Sequence, residues 1–345
     1  MGFCATEKQM NQFINALKPQ YQIYAPKVYS GGGRFSDTDC IRYGMIDAAD
    51  EIVFDRKSDY SFKEVLTPIS QTLFYFTEKD VKEPDLSPKG AVIFLRSCDL
   101  QAVKRLDDMY LNNGEPDYYY RKLREHVKFI LMGCDHSFEN CFCVSMGTNQ
   151  SEDYDLSIDL VHDEKENAVF QMDCKDKQFH GILEELGCQA CDVTPAYVTE
   201  NEVKVDVPED LDFRVAKSSM WDEYDGRCIN CGRCNYACPT CTCFTMQDLF
   251  YSENGRVGER RRVSASCMVD GYSDVAGGGS YRQKNGQRMR FKVLHKVLDH
   301  KKRFGHQMCV GCGRCDDICP EYISFSNCIN KLENGMKEVT ADDKE

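Results

Sequence analysis

Two mostly apolar runs in the first half of the chain have the length of buried β-strands. They are Ala91–Leu95 and Val127–Met132. Between them, apolar side chains recur at the spacing of one helix face: Leu100, Val103, Leu106 and Tyr110. Asp99 precedes this face and is available as its N-cap. A strand, a helix and a strand in this order predict a right-handed parallel βαβ unit.

The pattern changes near residue 205. The stretch 200–212 is charged and contains Pro208, so it has the composition of a domain boundary. Beyond it the apolar positions favour helices, for example over 288–304. We therefore expect an α+β protein in which 1–205 form an α/β domain with the parallel βαβ unit and 206–345 form a mainly helical domain.

Composition and charge limit the compartment and the partners. The 345 residues carry a formal net charge of −13, which opposes binding to nucleic-acid phosphates or to anionic membranes. No run approaches the roughly 20 apolar residues of a membrane span, and the first residues lack the apolar core of a secretory signal. We expect a cytoplasmic protein that contacts neither nucleic acid nor membrane.

Cysteine is the outlier of the composition, with 21 residues. In a reducing compartment a cysteine content this high indicates metal binding rather than disulfides. Two segments share one pattern, Cys228-x2-Cys231-x2-Cys234-x3-Cys238-Pro239 and Cys309-x2-Cys312-x2-Cys315-x3-Cys319-Pro320. Each cysteine of the second run lies 81 positions after its counterpart, as 309 minus 228 shows for the first. This is the run that binds the 4Fe-4S clusters of two-cluster ferredoxins.

The spacing also predicts which cysteines share a cluster. Three thiolates separated by two residues each can surround three corners of a cubane, while the fourth, before proline, binds the partner cluster. We assign the first cluster to Cys228, Cys231, Cys234 and Cys319. We assign the second cluster to Cys309, Cys312, Cys315 and Cys238. Structural zinc is the alternative, but zinc sites usually pair two C-x2-C knuckles across a gap.

Residues inside the two runs are expected to support the clusters. Gly232 and Gly313 let backbone N–H groups approach the sulfurs, and Arg233 and Arg314 stand where positive charge could offset an anionic cluster. The 70 or so residues between the runs favour a helical two-cluster ferredoxin domain over the compact β-rich type.

Four more cysteines follow the two predicted strands and suggest a third 4Fe-4S cluster. Cys98 follows the first strand, and Cys134 follows the second, with Cys141 and Cys143 on the same loop. The carboxyl ends of neighbouring parallel strands form binding crevices in open α/β sheets. The alternative is that these cysteines are small buried hydrophobes.

The remaining cysteines of interest have no assigned ligand role. Cys188 and Cys191 form a lone C-x2-C, for which we favour a core or surface thiol. Cys241, Cys243 and Cys267 are expected to pack around the clusters. His136, beside Cys134, is the histidine best placed to support a ligand.

The combination of motifs resembles a known group of redox subunits. The motifs are Arg96-Ser-Cys98-Asp-Leu, Gly133-Cys134-x6-Cys141-Phe-Cys143, the Cys228 run continued as Pro-Thr-Cys241-x-Cys243-Phe244, Ser266-Cys267-x8-Ala276-Gly-Gly278, an arginine-rich stretch ending at His295, and the Cys309 run. The group contains the iron–sulfur electron-transfer subunit of anaerobic sulfite reductase and the β subunits of sulfhydrogenases. The resemblance covers most of the chain and is strongest over 91–143 and 221–320, and the opening, with 29–36, is more similar to the sulfite reductase member.

The resemblance implies a complex in which a flavin subunit oxidises NADH and this chain passes electrons to a sirohaem subunit that reduces sulfite to sulfide. It also implies an iron–sulfur centre in the N-terminal domain. A nickel–iron hydrogenase is the alternative terminal partner, because the same cysteine-bound clusters would carry electrons to either enzyme. Catalysis by the chain itself is disfavoured, since no Ser-His-Asp set, phosphate loop or paired-histidine metal site is evident. A transcription regulator conflicts with the acidic charge.

Overall fold

The structure is a computed structural model that describes residues 2–35, 37–85 and 87–342. The strands are β1 (Gly2–Thr6), β2 (Tyr21–Tyr29), β3 (Cys40–Met45), β4 (Ser70–Phe76), β5 (Val81–Lys82), β6 (Gly90–Leu95), β7 (Val127–Met132), β8 (Leu156–His162), β9 (Ala168–Asp173), β10 (Gln189–Ala190), β11 (Phe244–Phe250), β12 (Gly258–Ser264), β13 (Asp274–Val275) and β14 (Gly279–Ser280).

The α-helices are α1 (Glu7–Leu17), α2 (Lys63–Leu66), α3 (Ser97–Leu111), α4 (Tyr118–Arg124), α5 (Lys177–Glu185), α6 (Glu223–Arg227), α7 (Arg233–Ala237), α8 (Asn285–Leu294), α9 (His300–Phe304), α10 (Arg314–Asp317), α11 (Phe325–Asn330) and α12 (Leu332–Asp342). Short 3₁₀ turns are Ala49–Glu51, Phe213–Lys217 and Ser219–Trp221, and one turn of π-helix is His295–Asp299. The predicted helix over 288–304 is confirmed, with the π-turn in its middle.

The chain forms two compact units. The first contains 1–66, 85–138 and 147–200, and the second contains 67–84, 139–146 and 201–345. Each unit therefore combines three separate segments, whereas the expected domains were the continuous ranges 1–205 and 206–345. Two backbone contacts bring early segments into the second unit. Strand β4, from the first hundred residues, pairs with β12, and the N–H of Phe142 donates to the carbonyl of Gly311.

A mixed sheet organises the first unit. Among the described residues its strand order is β10-β1-β9-β8-β7-β6-β2-β3. The centre is parallel, since β6 pairs in parallel with β2 and β7, and β7 with β8. Central parallel strands are covered on both faces, and the last four residues of both β6 and β7 are buried. The predicted α+β class and the parallel βαβ unit are confirmed.

The crossover helix α3 starts differently from the sequence prediction. Its N-cap is Arg96 rather than Asp99, which was wrong as a cap. Asp99 lies in the first turn, fully buried, and the hydroxyl of Tyr43 donates to its carboxylate at 3.4 Å. Its carboxylate therefore lies inside the helix and accepts a hydrogen bond from a residue of β3.

A disulfide closes one edge of the first unit. Cys4 of β1 is bonded to Cys191, where β1 pairs with the short strand β10. The expectation that Cys191 is a core or surface thiol was wrong, because strand pairing across 187 residues brings it to Cys4. Cys188 stays a thiol packed against the core.

The second unit combines short helices with an antiparallel sheet. The order β11-β12-β4-β5 joins the hairpin after the first cysteine run to residues from early in the chain. Side chains reinforce the pairing of β12 with β4, since Thr72 donates to Glu259 at 2.6 Å and Arg262 to Gln71 at 2.8 Å. The helices pack around an apolar core that includes Trp221, Val293 and Leu332.

No helix in the described ranges combines the length and the apolar character that a bilayer crossing requires.

Candidate metal centre

Both cysteine runs adopt the same local structure. Each turns at a glycine in the left-handed region, Gly232 with φ 72° and Gly313 with φ 70°, directly before a one-turn helix. Glycine adopts this conformation without strain. At Gly232 an added Cβ would also lie 2.7 Å from a methyl group of Val269. The turn therefore bends each run tightly around its cysteines, which are buried or half-buried except for the exposed Cys231.

One cavity of the second unit collects the thiols assigned to the first cluster. Its lining includes three cysteines of the first run and Cys319, the cysteine before proline in the second run. Cys315, which is assigned to the second cluster, also lines this cavity. Apolar side chains of Met268, Met289, Ile323 and Phe325 complete much of the wall. A set of sulfur donors in an apolar pocket suits an iron–sulfur cluster, because soft thiolates are the ligands that such clusters require.

The thiols assigned to the second cluster are also neighbours. Burial raises the pKa of Cys309 to about 12, and the sulfurs of Cys238 and Cys312 add to the effect. Burial likewise raises the pKa of Cys315, again with contributions from Cys238 and Cys312. A bound metal reverses this preference, since iron binds the thiolate form and stabilises its charge. The donor set therefore fits a second cluster.

The two arginines of the runs differ in their surroundings. Arg233 is exposed to solvent, whereas Arg314 is buried, with only 2% of its surface accessible. A charge in water is strongly screened and a charge in the interior is not. Of the two predicted supporting cations, only Arg314 therefore lies in a low-dielectric environment.

Sequence reasoning missed two buried lysines. Lys292 of α8 and Lys296 of the π-turn are 4% and 3% exposed. Lys292 lines the cavity that holds Cys234 and Cys319, and the Lys296 ammonium donates to the hydroxyl of Thr240 at 2.6 Å. A lysine at helical spacing normally indicates a solvated face, so only the depth of these side chains in the fold shows their importance.

Nearby sulfurs act on the pKa values of both lysines. Burial alone would lower the pKa of Lys292, but the neighbouring cysteine sulfurs, Cys234 and Cys315 first among them, hold it well above its ordinary value. Burial is likewise outweighed at Lys296, whose pKa is raised by Cys238, Cys241 and Cys309. Both side chains are therefore ammonium ions in the interior of the second unit.

Cys243 and Cys267 form a hydrogen-bonded pair outside the two runs. The bond from Cys267 lowers the pKa of Cys243, and Tyr272 contributes a further hydrogen bond. The amide of Asn235, next to Cys234, donates to the Cys267 sulfur at 3.1 Å. This arrangement agrees with the expectation that these cysteines pack around the clusters.

The four cysteines assigned to a third cluster belong to different units. In the second unit, the sulfur of Cys141 contacts the carbonyl oxygen of Cys312 at 3.6 Å, and that of Cys143 contacts the Asn201 side chain at 3.6 Å. The N–H of Phe142 between them donates to the carbonyl of Gly311 at 2.8 Å. The loop is therefore fixed against the second cysteine run.

Cys98 and Cys134 lie in the first unit, at the carboxyl ends of β6 and β7. Cys98 is in the first turn of α3, and the N–H of Cys134 donates to the carbonyl of Ala196 at 2.9 Å. The guanidinium of Arg96 donates to the carbonyl of Gly133 at 2.6 Å. Arg96 therefore joins the two loops that carry these thiols.

His136, the histidine beside Cys134, bonds to a carboxylate. Its Nδ1 lies 2.6 Å from the Asp135 carboxylate, and this bond lowers the pKa of Asp135.

Comparison with known proteins agrees with this geometry. Residues 227–323 match the 4Fe-4S dicluster domain family. The chain is also 26% identical over 337 residues to sulfhydrogenase 2 subunit beta of Pyrococcus furiosus, which covers 94% of this chain and 96% of that relative. No solved structure matches the chain. The prediction that the C-terminal part of the chain carries 4Fe-4S clusters is confirmed, and the chain is an iron–sulfur protein that resembles a sulfhydrogenase beta subunit.

The contact between the 139–146 loop and the second run can be tested at Gly311. Its φ is 65°, and an added Cβ would lie 2.6 Å from the Phe142 carbonyl oxygen. Gly305 has φ 83° but open space around it, so Gly305→Ala carries only the left-handed strain, about 1–2 kcal/mol. We expect Gly311→Ala to destabilise the second unit by a further ~1–3 kcal/mol, because the loop must shift.

Urea unfolding followed by tryptophan fluorescence measures this difference. Trp221 is the only tryptophan of the chain and is buried in the second unit. Equal losses of stability in the two variants would show that the loop does not pack closely on Gly311.

Proposed function

We propose that this chain is the electron-transfer subunit of an oxidoreductase complex and carries no catalytic site of its own. The observation that carries the proposal is the cavity in which Cys319 joins Cys228, Cys231 and Cys234. Thiols from runs 81 residues apart converge there, as cross-ligated ferredoxin clusters require. When bound, 4Fe-4S clusters accept and release single electrons.

The proposed ligands are those of the sequence assignment. Cys228, Cys231, Cys234 and Cys319 hold the first cluster, and Cys309, Cys312, Cys315 and Cys238 hold the second. The shared cavity supports the first set, and the effect of Cys238 and Cys312 on the pKa of Cys309 supports the second. Gly232 and Gly313 shape the two turns, and we keep Arg233 and Arg314 as supporting cations.

The two sets differ in their access to solvent. Cys231 is exposed and its neighbour Ile229 is 56% exposed, whereas Cys312 is 8% exposed. Electron transfer to another protein requires a short distance between centres. We therefore propose that electrons are exchanged with a partner on the Cys231 side, while the residues around Cys312 exclude water from the second set.

A third cluster, held by Cys98, Cys134, Cys141 and Cys143, is part of the proposal. Its support is the position of Cys98 and Cys134 after the carboxyl ends of two neighbouring parallel strands, where open α/β sheets form binding crevices. The fixed 139–146 loop also holds Cys141 and Cys143 two residues apart, with neither in a disulfide.

For the complex itself, we propose an NADH-dependent anaerobic sulfite reductase in the cytoplasm. A flavin subunit would supply electrons from NADH, and a sirohaem subunit would reduce sulfite to sulfide. The support is the resemblance of the cysteine motifs and of the opening segment around Tyr29 to that family. Neither nucleic acid nor a membrane is a partner in this proposal.

The second candidate is the beta subunit of a sulfhydrogenase. The likeness to the Pyrococcus furiosus protein over nearly the whole of both chains favours it. Both candidates use the same cysteines as electron carriers, so they differ only in the terminal partner.

The ligand assignment predicts the iron content of a cysteine variant. Cys319→Ala removes the ligand that closes the first set, so we expect the protein purified without oxygen to lose about four iron atoms. Cys328→Ala is the control, because Cys328 is a buried free thiol of the same unit outside the runs. Iron analysis and EPR measure the change, and full iron in Cys319→Ala would contradict the assignment.

The proposal of a third cluster predicts a separate loss of iron. The wild-type chain should hold about twelve iron atoms if three clusters fill and about eight if two do. Cys134→Ala should remove about four, whereas Cys188→Ala, at another half-buried thiol of the first unit, should remove none. A wild-type content near eight that Cys134→Ala leaves unchanged would refute the third cluster.

Isolation of the native complex separates the two candidate functions. A sulfite reductase complex should contain flavin and sirohaem, and a sulfhydrogenase complex should contain nickel. The chain alone should not couple oxidation of a reduced dye to sulfite reduction. Sulfite-dependent dye oxidation by the isolated chain would contradict its role as a carrier without its own active site.

A further inference from the structure

Lys292 and Lys296 are unusual because both charges lie in the interior without an acidic partner. Lysine is almost never fully buried unless its charge is paired. In the part of the chain that the structure describes, neither ammonium forms an ion pair with a carboxylate. Lys296 instead donates to Thr240 at 2.6 Å, and the Lys292 ammonium lies 4.7 Å from the centre of the Phe325 ring. The compensating charge must come from sulfur.

The two lysines face different sets of thiols. Lys292 lines the cavity of the first set, and Cys315 of the second set lines the same cavity. Lys296 donates to Thr240, two residues after Cys238, and its carbonyl oxygen accepts from the N–H of Cys309, so its neighbours Cys238 and Cys309 both belong to the second set. Lys292 therefore lies where the two sets meet, whereas Lys296 belongs to one.

The backbone fixes Lys296 in this place. Its carbonyl oxygen accepts hydrogen bonds from the N–H groups of Met308 and Cys309, at 2.8 and 3.2 Å. The π-turn His295–Asp299 contains this residue, and π-turns inside helices often occur at functional sites. The same residue thus holds the start of the second cysteine run with its backbone, while its ammonium bonds to Thr240, two residues after Cys238.

We propose that Lys292 and Lys296 set the reduction potentials of the dicluster domain, Lys292 for both clusters and Lys296 for the second cluster alone. The physical reason is electrostatic, because reduction adds a negative charge to a centre that is already anionic. A buried ammonium stabilises the reduced form more strongly than an exposed cation can. The inference rests on the ligand assignment proposed above.

Substitution by methionine tests the proposal, since it keeps the length and the apolar stem of lysine and removes the charge. In the full chain, purified without oxygen and with its iron counted, we expect Lys292→Met to lower the midpoint potentials of both clusters. Lys296→Met should lower only that of the second. Lys301→Met is the control, because Lys301 is an exposed lysine one turn further along the same helical segment, and it should shift neither.

A redox titration followed by EPR measures these shifts, and the signal that is lost in Cys319→Ala identifies the first cluster. Unchanged potentials in Lys292→Met with full iron, or equal shifts in Lys301→Met, would overturn the proposal. If the methionine variants lose iron, Lys292→Gln and Lys296→Gln keep a polar side chain without the charge and carry the same expectation. Iron loss there as well would show that the lysines assemble the site, which also overturns the proposal.

Failure of the ligand assignment has a different signature. In that case Cys319→Ala keeps all of its iron, whatever the lysine variants do. A shift of potential in the lysine variants would then still report the effect of the buried charges, but its division between the clusters would have to be assigned anew.

Discussion

Negative charge concentrated in an apolar interior is the constraint on which the second unit depends. The two cysteine runs bring eight sulfurs into one small unit, and charge that is removed from water must be balanced by charge placed equally deep. Lys292 and Lys296 provide this balance from the helical segment 285–304. Apolar residues of the same segment, Val293 and Leu294 among them, pack in the core. Packing, charge balance and the position of a ligand loop thus all depend on one short segment of chain.

The parts of the structure that the sequence predicts are those encoded by local spacing. The strands β6 and β7 appear as apolar runs of the right length, and the twin cysteine runs reveal the cluster type. The left-handed turns at Gly232 and Gly313 follow from glycine at equivalent positions of the two runs. In each case a few adjacent residues contain the whole signal.

The parts that the sequence does not predict depend on distant partners. Asp99 is a residue type that often caps helices, but here its carboxylate accepts a hydrogen bond from Tyr43 of β3. Cys191 meets Cys4 only after β10 pairs with β1. In the sequence, the buried lysines Lys292 and Lys296 cannot be told from exposed lysines on the same helical segment. Burial is decided by tertiary packing, which the periodicity of a single segment does not contain.

The pairing of β4 with β12 has a consequence for how this protein is made. β12 begins 182 positions after β4 ends, as 258 minus 76 shows, so β4 has only the short strand β5 as a partner while the residues between them are synthesised. A fragment beginning at 201 would lack β4 and leave the open edge of β12 free to associate with other chains. The unit that contains both cysteine runs is therefore not a module that can be cut from the end of the chain.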